Sequence, residues 1–344
     1  MKKSKLIQFG QIIFGIVVLL FFIYLFFHLS ELKTILNLLV KLKWYYFIPL
    51  ILLEFLFLLN RGKIFSILFN KLNIKINLWP AFESYLAFNS LNALVPSAGF
   101  SGITVFLSQA EKHSVNKSKI FLLNLLYYFI SYISLAVILV FSLIYLFSKG
   151  QYIYYYLSGF IILLLIIFFW LILFLIISDP KTTYSPDRKI IKFINIFLKW
   201  LDLELDEQSF NNLLIEARLI KKTIKKDVSV FWIPFFLFFL GFAFELIMLS
   251  IIFYIFDRQV PLIPMVMGYS FGIMFMLVSI TPSGVGIVEP IMTFVFASFG
   301  ISLESSALIV LLFRAITFWL PLPVGTVLMR RIMFKPPEKI VSSS

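Results

Sequence analysis

The chain has no cysteine and, in 344 residues, two histidines, His28 and His113. The first absence excludes disulfides, thiolate zinc sites and a cysteine nucleophile. The second excludes a histidine cluster, so a metal would have to be held by carboxylates alone. Charge is scarce as well, at 14% of residues, against about 25% in soluble domains. Acidic residues are the rarer sign, 17 against 30 basic. Neither a P-loop nor a dinucleotide fingerprint occurs. No cofactor, metal or nucleic acid is therefore expected, and the net charge of +13 is read as orientation across a bilayer.

What the chain has in quantity is apolar surface, 61% of its residues. A spanning helix needs about 20 apolar residues. Six stretches meet or approach that: 9–27, 44–59, 121–147, 152–177, 232–256 and 307–329. The first follows Lys2, Lys3 and Lys5 but runs too long for a signal peptide and lacks a small-residue cleavage site, so it is read as an uncleaved anchor.

Two further apolar segments, 79–110 and 262–299, are interrupted. "YLAFNSLNALVPSAGFSGITVFLSQ" (85–109) and "YSFGIMFMLVSITPSGVGIVEPIMTFVFA" (269–297) share an order of parts: an apolar half, a Pro-Ser with nearby glycines, and a second apolar half. If both segments return to the side they entered from, 24 basic residues face inside and five outside. Without the long 178–231 connector the split is still 14 to five. Both segments must return or both must cross, since one crossing alone would abolish the bias.

Three full stretches lie between the two segments, an odd number, so returning hairpins would enter from opposite faces. The expected fold is an all-α polytopic membrane protein: one domain over 1–344, six full transmembrane helices, and two opposed Pro/Gly-broken re-entrant helical hairpins related as an inverted repeat. The halves fall at about 44–177 and 232–330, with both termini cytoplasmic at the plasma membrane. Broken, short segments in corresponding places of two halves point to a transporter site near the midplane.

Within the connector, Ile190, Ile194, Phe197 and Leu201 fall on one helical face, as do Leu213, Ala217, Ile220 and Ile224. Such basic amphipathic helices either lie in the headgroup layer or pack on the bundle.

Irregular backbone within hydrocarbon survives where it is buried in protein or lines a wet cavity. The breaks at Pro96, Ser97 and Gly99 and at Pro282, Ser283, Gly284 and Gly286 should therefore face inward. Pro290 suits a first helical position with Glu289 as its cap, and Ser101 suits the cap of a helix starting at Gly102. Helix starts attract anions, here a lipid headgroup. Ionisable residues inside apolar stretches normally face the bundle interior and find partners. Glu289 and Arg314 form the preferred pair, either as a permanent salt bridge or with Arg314 free to hold a phosphate. Glu54 and Glu245 lie deeper than Glu83, and these three acids are candidates for a proton relay.

The run "PSGVGIVEPIMTFVFASFGIS" with "ALIVLLFRAITFWLPLPVG" resembles the lysylphosphatidylglycerol synthase transmembrane region, a flippase-like family of integral membrane proteins. Pro282, Gly284, Gly286, Glu289, Arg314 and Gly325 occupy that family's second-half pattern, and "NALVPSAGFSG" resembles its first-half element. Many relatives carry a charged residue after the first glycine element, whereas Phe100, Ser101, Gly102 and Ile103 follow Gly99 here. The resemblance implies movement of a phospholipid, an aminoacyl-lipid or a lipid-linked headgroup between leaflets. Nothing long enough to be a soluble aminoacyl transferase follows Arg331, so a modified lipid would come from a separate enzyme. The alternatives are a proton-coupled small-solute transporter and an intramembrane transferase acting on a lipid carrier. The second is disfavoured because the outside loops offer only Glu31, Asp257 and Glu304 as acids.

Overall fold

The computed structural model describes residues 44–95, 101–112, 115–148, 207–256, 258, 261–279 and 281–334, with isolated positions at 161, 164, 165 and 168. The apolar stretches at 9–27 and 152–177, and the amphipathic stretch at Ile190 to Leu201, lie outside the described residues or nearly so. Every regular element among the described residues is helical.

After a short 3-10 turn, α1 spans Phe47–Lys71, and α2 spans Leu78–Leu94. Next come α3, Ile103–Lys112, and α4, Lys117–Ser148. The connector ends in α5, Glu207–Lys226, which leads into α6, Ser229–Ile255. The last third holds α7, Leu262–Val278, α8, Val288–Ser298, α9, Leu303–Arg314, and α10, Pro321–Phe334. Among the described residues, three helical runs are long and apolar enough to cross a membrane: Lys117–Tyr145, Ser229–Ile255 and Leu303–Met333.

The stretch expected to end at residue 59 does not end there, because α1 continues to Lys71. Its polar quartet Asn60 to Lys63 looks like a loop in sequence, yet most of it serves helix contacts. Asn60 Nδ2 donates to the Leu237 carbonyl at 2.8 Å. A Cβ at Gly62 would sit 2.6 Å from Phe82 Cα, so glycine lets α1 and α2 approach closely. Arg61 is buried, and Lys63 alone turns outward. Arg61 therefore does not belong with the loop charges. Beyond the quartet, Ile64, Phe65, Leu68 and Phe69 resume the apolar face at helical spacing.

α1 and α6 pack antiparallel along their whole length. Tyr46 meets Tyr254 at one end, Arg61 meets Phe238 midway, and Lys71 reaches Asp227 and Ser229 at the other.

Both interrupted segments fold back on themselves. In the first, Ser84 contacts Gln109, Phe88 contacts Phe106, and Asn92 contacts Gly102, which is the pairing of antiparallel arms. In the second, Gly268 faces Phe296, Gly272 faces Met292, and Met276 faces Gly284 in the same sense. Gly268 and Gly272 each admit a large side chain from the opposite arm, as small residues do at close helix contacts in membranes, and Gly284 lets the two backbones approach.

The last helical run is not regular. Ala315–Trp319 form a π turn, with the Leu320 N–H donating to the Ala315 carbonyl at 3.0 Å. Pro321 explains it: proline lacks the N–H that would bond to Thr317, and its ring crowds that carbonyl, so the helix widens by one residue.

Leu214, Ala217 and Ile220 are buried against the bundle, Ile224 packs on the same core, and α5 lies against α4.

Candidate functional site

The two hairpins meet where α2, the second break and the π turn converge, in an apolar contact of Ala93, Val285 and Phe318. α10 closes on α2 beside this contact. A Cβ at Gly325 would stand 2.0 Å from Ser90 Oγ and 2.4 Å from the Leu86 carbonyl oxygen, so no residue larger than glycine fits.

Next to this junction is a cavity of about 250 Å³. Its polar lining comes from several elements: Arg61 on α1, Asn89 and Asn92 on α2, Ser131 on α4, Glu245 on α6 and Tyr269 on α7. The second break adds Ser279, Thr281 and Ser283, and the last helical run adds Arg314 and Thr317. Aromatic rings, among them Tyr85, Tyr127 and Phe242, form much of the remaining wall. Such convergence of polar groups on an apolar-walled concavity is the usual form of a small-ligand site.

The second break is held by charge. Arg314 Nε donates to Glu289 Oε1 at 2.9 Å, and its Nη2 donates to the Ser283 carbonyl at 3.1 Å. The other Glu289 oxygen accepts the Gly286 N–H at 2.7 Å. Ser283 has φ 46°, left-handed for a residue with a side chain, followed by Gly284 at φ 69° and Gly286 at φ 81°. A non-glycine residue held there costs about 1 to 3 kcal/mol, so the guanidinium on its carbonyl stabilises a turn that would otherwise relax. Arg314 lies 4.5 Å from the Phe318 ring, one turn on, which fixes the plane of the fork.

The helix after this break starts at Val288, so Pro290 is its third residue rather than its first. A missing N–H is harmless there because the first four have no intrahelical acceptor. Glu289 caps by reaching back to Gly286, and the anion standing at this helix start is thus the chain's own carboxylate.

In the first break, Pro96, Ser97 and Gly99 lie outside the described residues. The arm beyond begins at Ile103, one residue later than the expected Gly102. Asn92 Oδ1 accepts the Gly102 N–H at 2.6 Å, and Asn92 Nδ2 donates to Tyr128 Oη at 3.3 Å. The Ser101 hydroxyl turns back toward the Leu91 carbonyl at 3.2 Å and Asn92 Oδ1 at 3.0 Å. A Cβ at Gly102 would press to 2.6 Å on the Phe88 carbonyl oxygen, so the turn requires glycine. Asn92 does for the first hairpin what Glu289 does for the second, with a neutral acceptor in place of a charged one.

Of the expected site residues, Arg314 and Ser283 line the cavity, with Glu289 acting through Arg314. Pro282 and Gly284 shape the turn, and Gly286 is exposed. Among the three acids, Glu245 lines the cavity and is bonded by the Tyr269 hydroxyl, Glu54 is buried behind it, and Glu83 does not line it. Sequence reasoning missed Arg61, Asn89 and Asn92. The two asparagines were findable, since polar amides within an apolar helix arm need an interior partner.

Apolar helices of spanning length around an apolar-walled cavity with converging polar groups define an integral membrane protein. The class narrows further: residues 12–325 match the family model for the lysylphosphatidylglycerol synthase TM region, and the chain belongs to that family. No curated protein matches the chain.

Proposed function

We propose that this protein is a lipid transporter that passes the headgroup of a phospholipid, an aminoacyl-lipid or another lipid-linked headgroup between leaflets while the acyl chains stay in the bilayer. The observation that carries this reading is the polar cavity at the junction of the two hairpins, in a family whose membrane region is tied by name to lipid synthesis. The hairpins act as opposed re-entrant elements related as an inverted repeat within a six-span bundle. Both termini face the cytoplasm, and the membrane is the plasma membrane. Arg314 and Ser283 offer the headgroup its donors and acceptors as the hairpins shift, and Arg314 then exchanges Glu289 for a phosphate, to which its fork is equally matched.

The test is leaflet exchange of headgroup-labelled phospholipids in vesicles containing the purified protein. Exchange well above protein-free vesicles, reduced at least tenfold in Arg314→Ala, is expected. Absence of exchange with anionic, zwitterionic and aminoacylated lipids alike would overturn the reading.

A further inference from the structure

Apart from the Arg314 clamp, α1 and α6 enclose three more ionisable side chains between them. Glu54 is 2% exposed, Arg61 6% and Glu245 6%. The antiparallel packing sets Glu54 level with Glu245, and Arg61 lies two turns along α1. Arg61 is held by rings, its guanidinium carbon 4.7, 4.6 and 5.6 Å from the centres of Phe57, Phe238 and Phe242, and its Nη1 has no hydrogen-bond partner. Glu245 accepts from the Tyr269 hydroxyl. Neither oxygen of Glu54 has a partner.

The three charges do not cancel. With all ionised, the cluster holds one negative charge in excess inside the bundle, where an uncompensated charge costs several kcal/mol. One positive charge must therefore enter. A metal ion is a poor match, because no three acidic or imidazole side chains converge among the described residues. A proton needs a single oxygen, and Glu54 offers two with no donor on either.

The surroundings make the site reachable and mechanically connected. Glu245 lines the cavity and Glu54 does not, so Glu245 is the entry and Glu54 lies behind it. The charged groups acting on Glu54 are Glu245 and Arg61. Among the described residues, Tyr85 from α2, Tyr127 from α4 and Tyr269 from α7 are the titratable groups facing the cluster from the other elements packed against it. Tyr269 sits on the first arm of the second hairpin, so a change of charge on Glu245 alters a bond that ties that hairpin to α6.

We infer that Glu54 and Glu245 form a one-proton site at the α1–α6 contact, filled from the cavity through Glu245, and that its occupancy biases the position of the α7–α8 hairpin during transport. The proton binds a Glu245 carboxylate oxygen, passes to Glu54 and returns by the same route. The cluster changes by one unit of charge, and no bond in the transported molecule is altered. The coupling rests on the transport reading; the proton site does not.

Two measurements on the full chain separate them. Infrared spectra of the purified protein across pH should contain the carbonyl stretch of a neutral carboxyl that is absent from Glu54→Gln and from Glu245→Gln, since either change leaves a single carboxylate to balance Arg61. A difference spectrum between the wild type and Glu54→Gln with no such band at any pH would overturn the site. In vesicles, an imposed pH gradient should skew the leaflet distribution of a labelled phospholipid in the wild type, and the skew should be lost in Glu54→Gln. Exchange that ignores the pH gradient, or follows a sodium gradient instead, would overturn the coupling. If no lipid exchanges under any condition, the transport reading falls and the coupling with it, while the infrared result still decides the proton site.

Discussion

Glu289 joins two groups that do not otherwise meet: one carboxylate oxygen takes the Arg314 Nε at 2.9 Å and the other takes the Gly286 N–H at 2.7 Å. Arg314 is 9% exposed at its side chain and Glu289 19%, so the pair sits largely out of water. Glu289→Ala should leave a buried guanidinium without its counter-ion and destabilise the fold by roughly 3 to 5 kcal/mol. The double variant Glu289→Ala with Arg314→Met should recover part of that loss. Thermal unfolding of the wild type and the two variants in detergent checks it; equal stabilities would show that the pair carries no structural weight.

Asn92 Oδ1 closes the first hairpin by accepting from the Gly102 N–H and from the Ser101 hydroxyl. Asn92→Leu should strand that N–H at a cost of about 1 to 3 kcal/mol, whereas Asn92→Asp keeps the acceptor and should lose less. Hydrogen exchange at Gly102, faster in Asn92→Leu than in Asn92→Asp, is the direct readout.

Gly325 sets the approach of α10 to α2. Gly325→Ala should lower stability by about 1 to 3 kcal/mol through overpacking. Adding Ser90→Ala should not restore it, because the Leu86 carbonyl oxygen remains 2.4 Å from the new methyl position. Restoration by Ser90→Ala would mean that the hydroxyl alone sets the spacing.

At the end of α1, Lys71 Nζ bonds Asp227 Oδ2 at 2.6 Å, and Ser229 bonds the other oxygen. Those hydrogen bonds, Lys71's first, hold the Asp227 carboxyl down at about 2. A carboxyl depressed in the folded state adds stability above its unfolded value of about 4, and that stability is lost as pH falls through the folded value. The stability difference between the wild type and Asp227→Asn should therefore be constant above about pH 5 and vanish toward about pH 2. Thermal unfolding against pH measures it, and a difference that grows on acidification would contradict the assignment.

The helix breaks were legible in the sequence because proline and glycine inside an apolar run have few structural uses, and the repeated Pro-Ser with glycines marked both places. The Glu289–Arg314 pairing was legible for a similar reason: each charge stood alone in an apolar stretch. Arg61 was not. Its neighbours Lys63, Lys71 and Lys75 make it look like one of a group of loop charges, and two of the three rings that enclose it, Phe238 and Phe242, come from a helix far along the chain. The π turn was hidden for another reason, since a proline in a long apolar run signals a disturbance without saying whether the helix kinks, ends or widens.

The central claim is that the cavity between the hairpins is the headgroup's path, and the most direct test is to fill it from a wall that belongs to neither hairpin. Ser131 on α4 lines the cavity. Leaflet exchange of a headgroup-labelled phospholipid should fall to the protein-free rate in Ser131→Trp while the variant keeps its helical content and elution position. Exchange at the wild-type rate in that folded variant would place the path elsewhere and contradict the account.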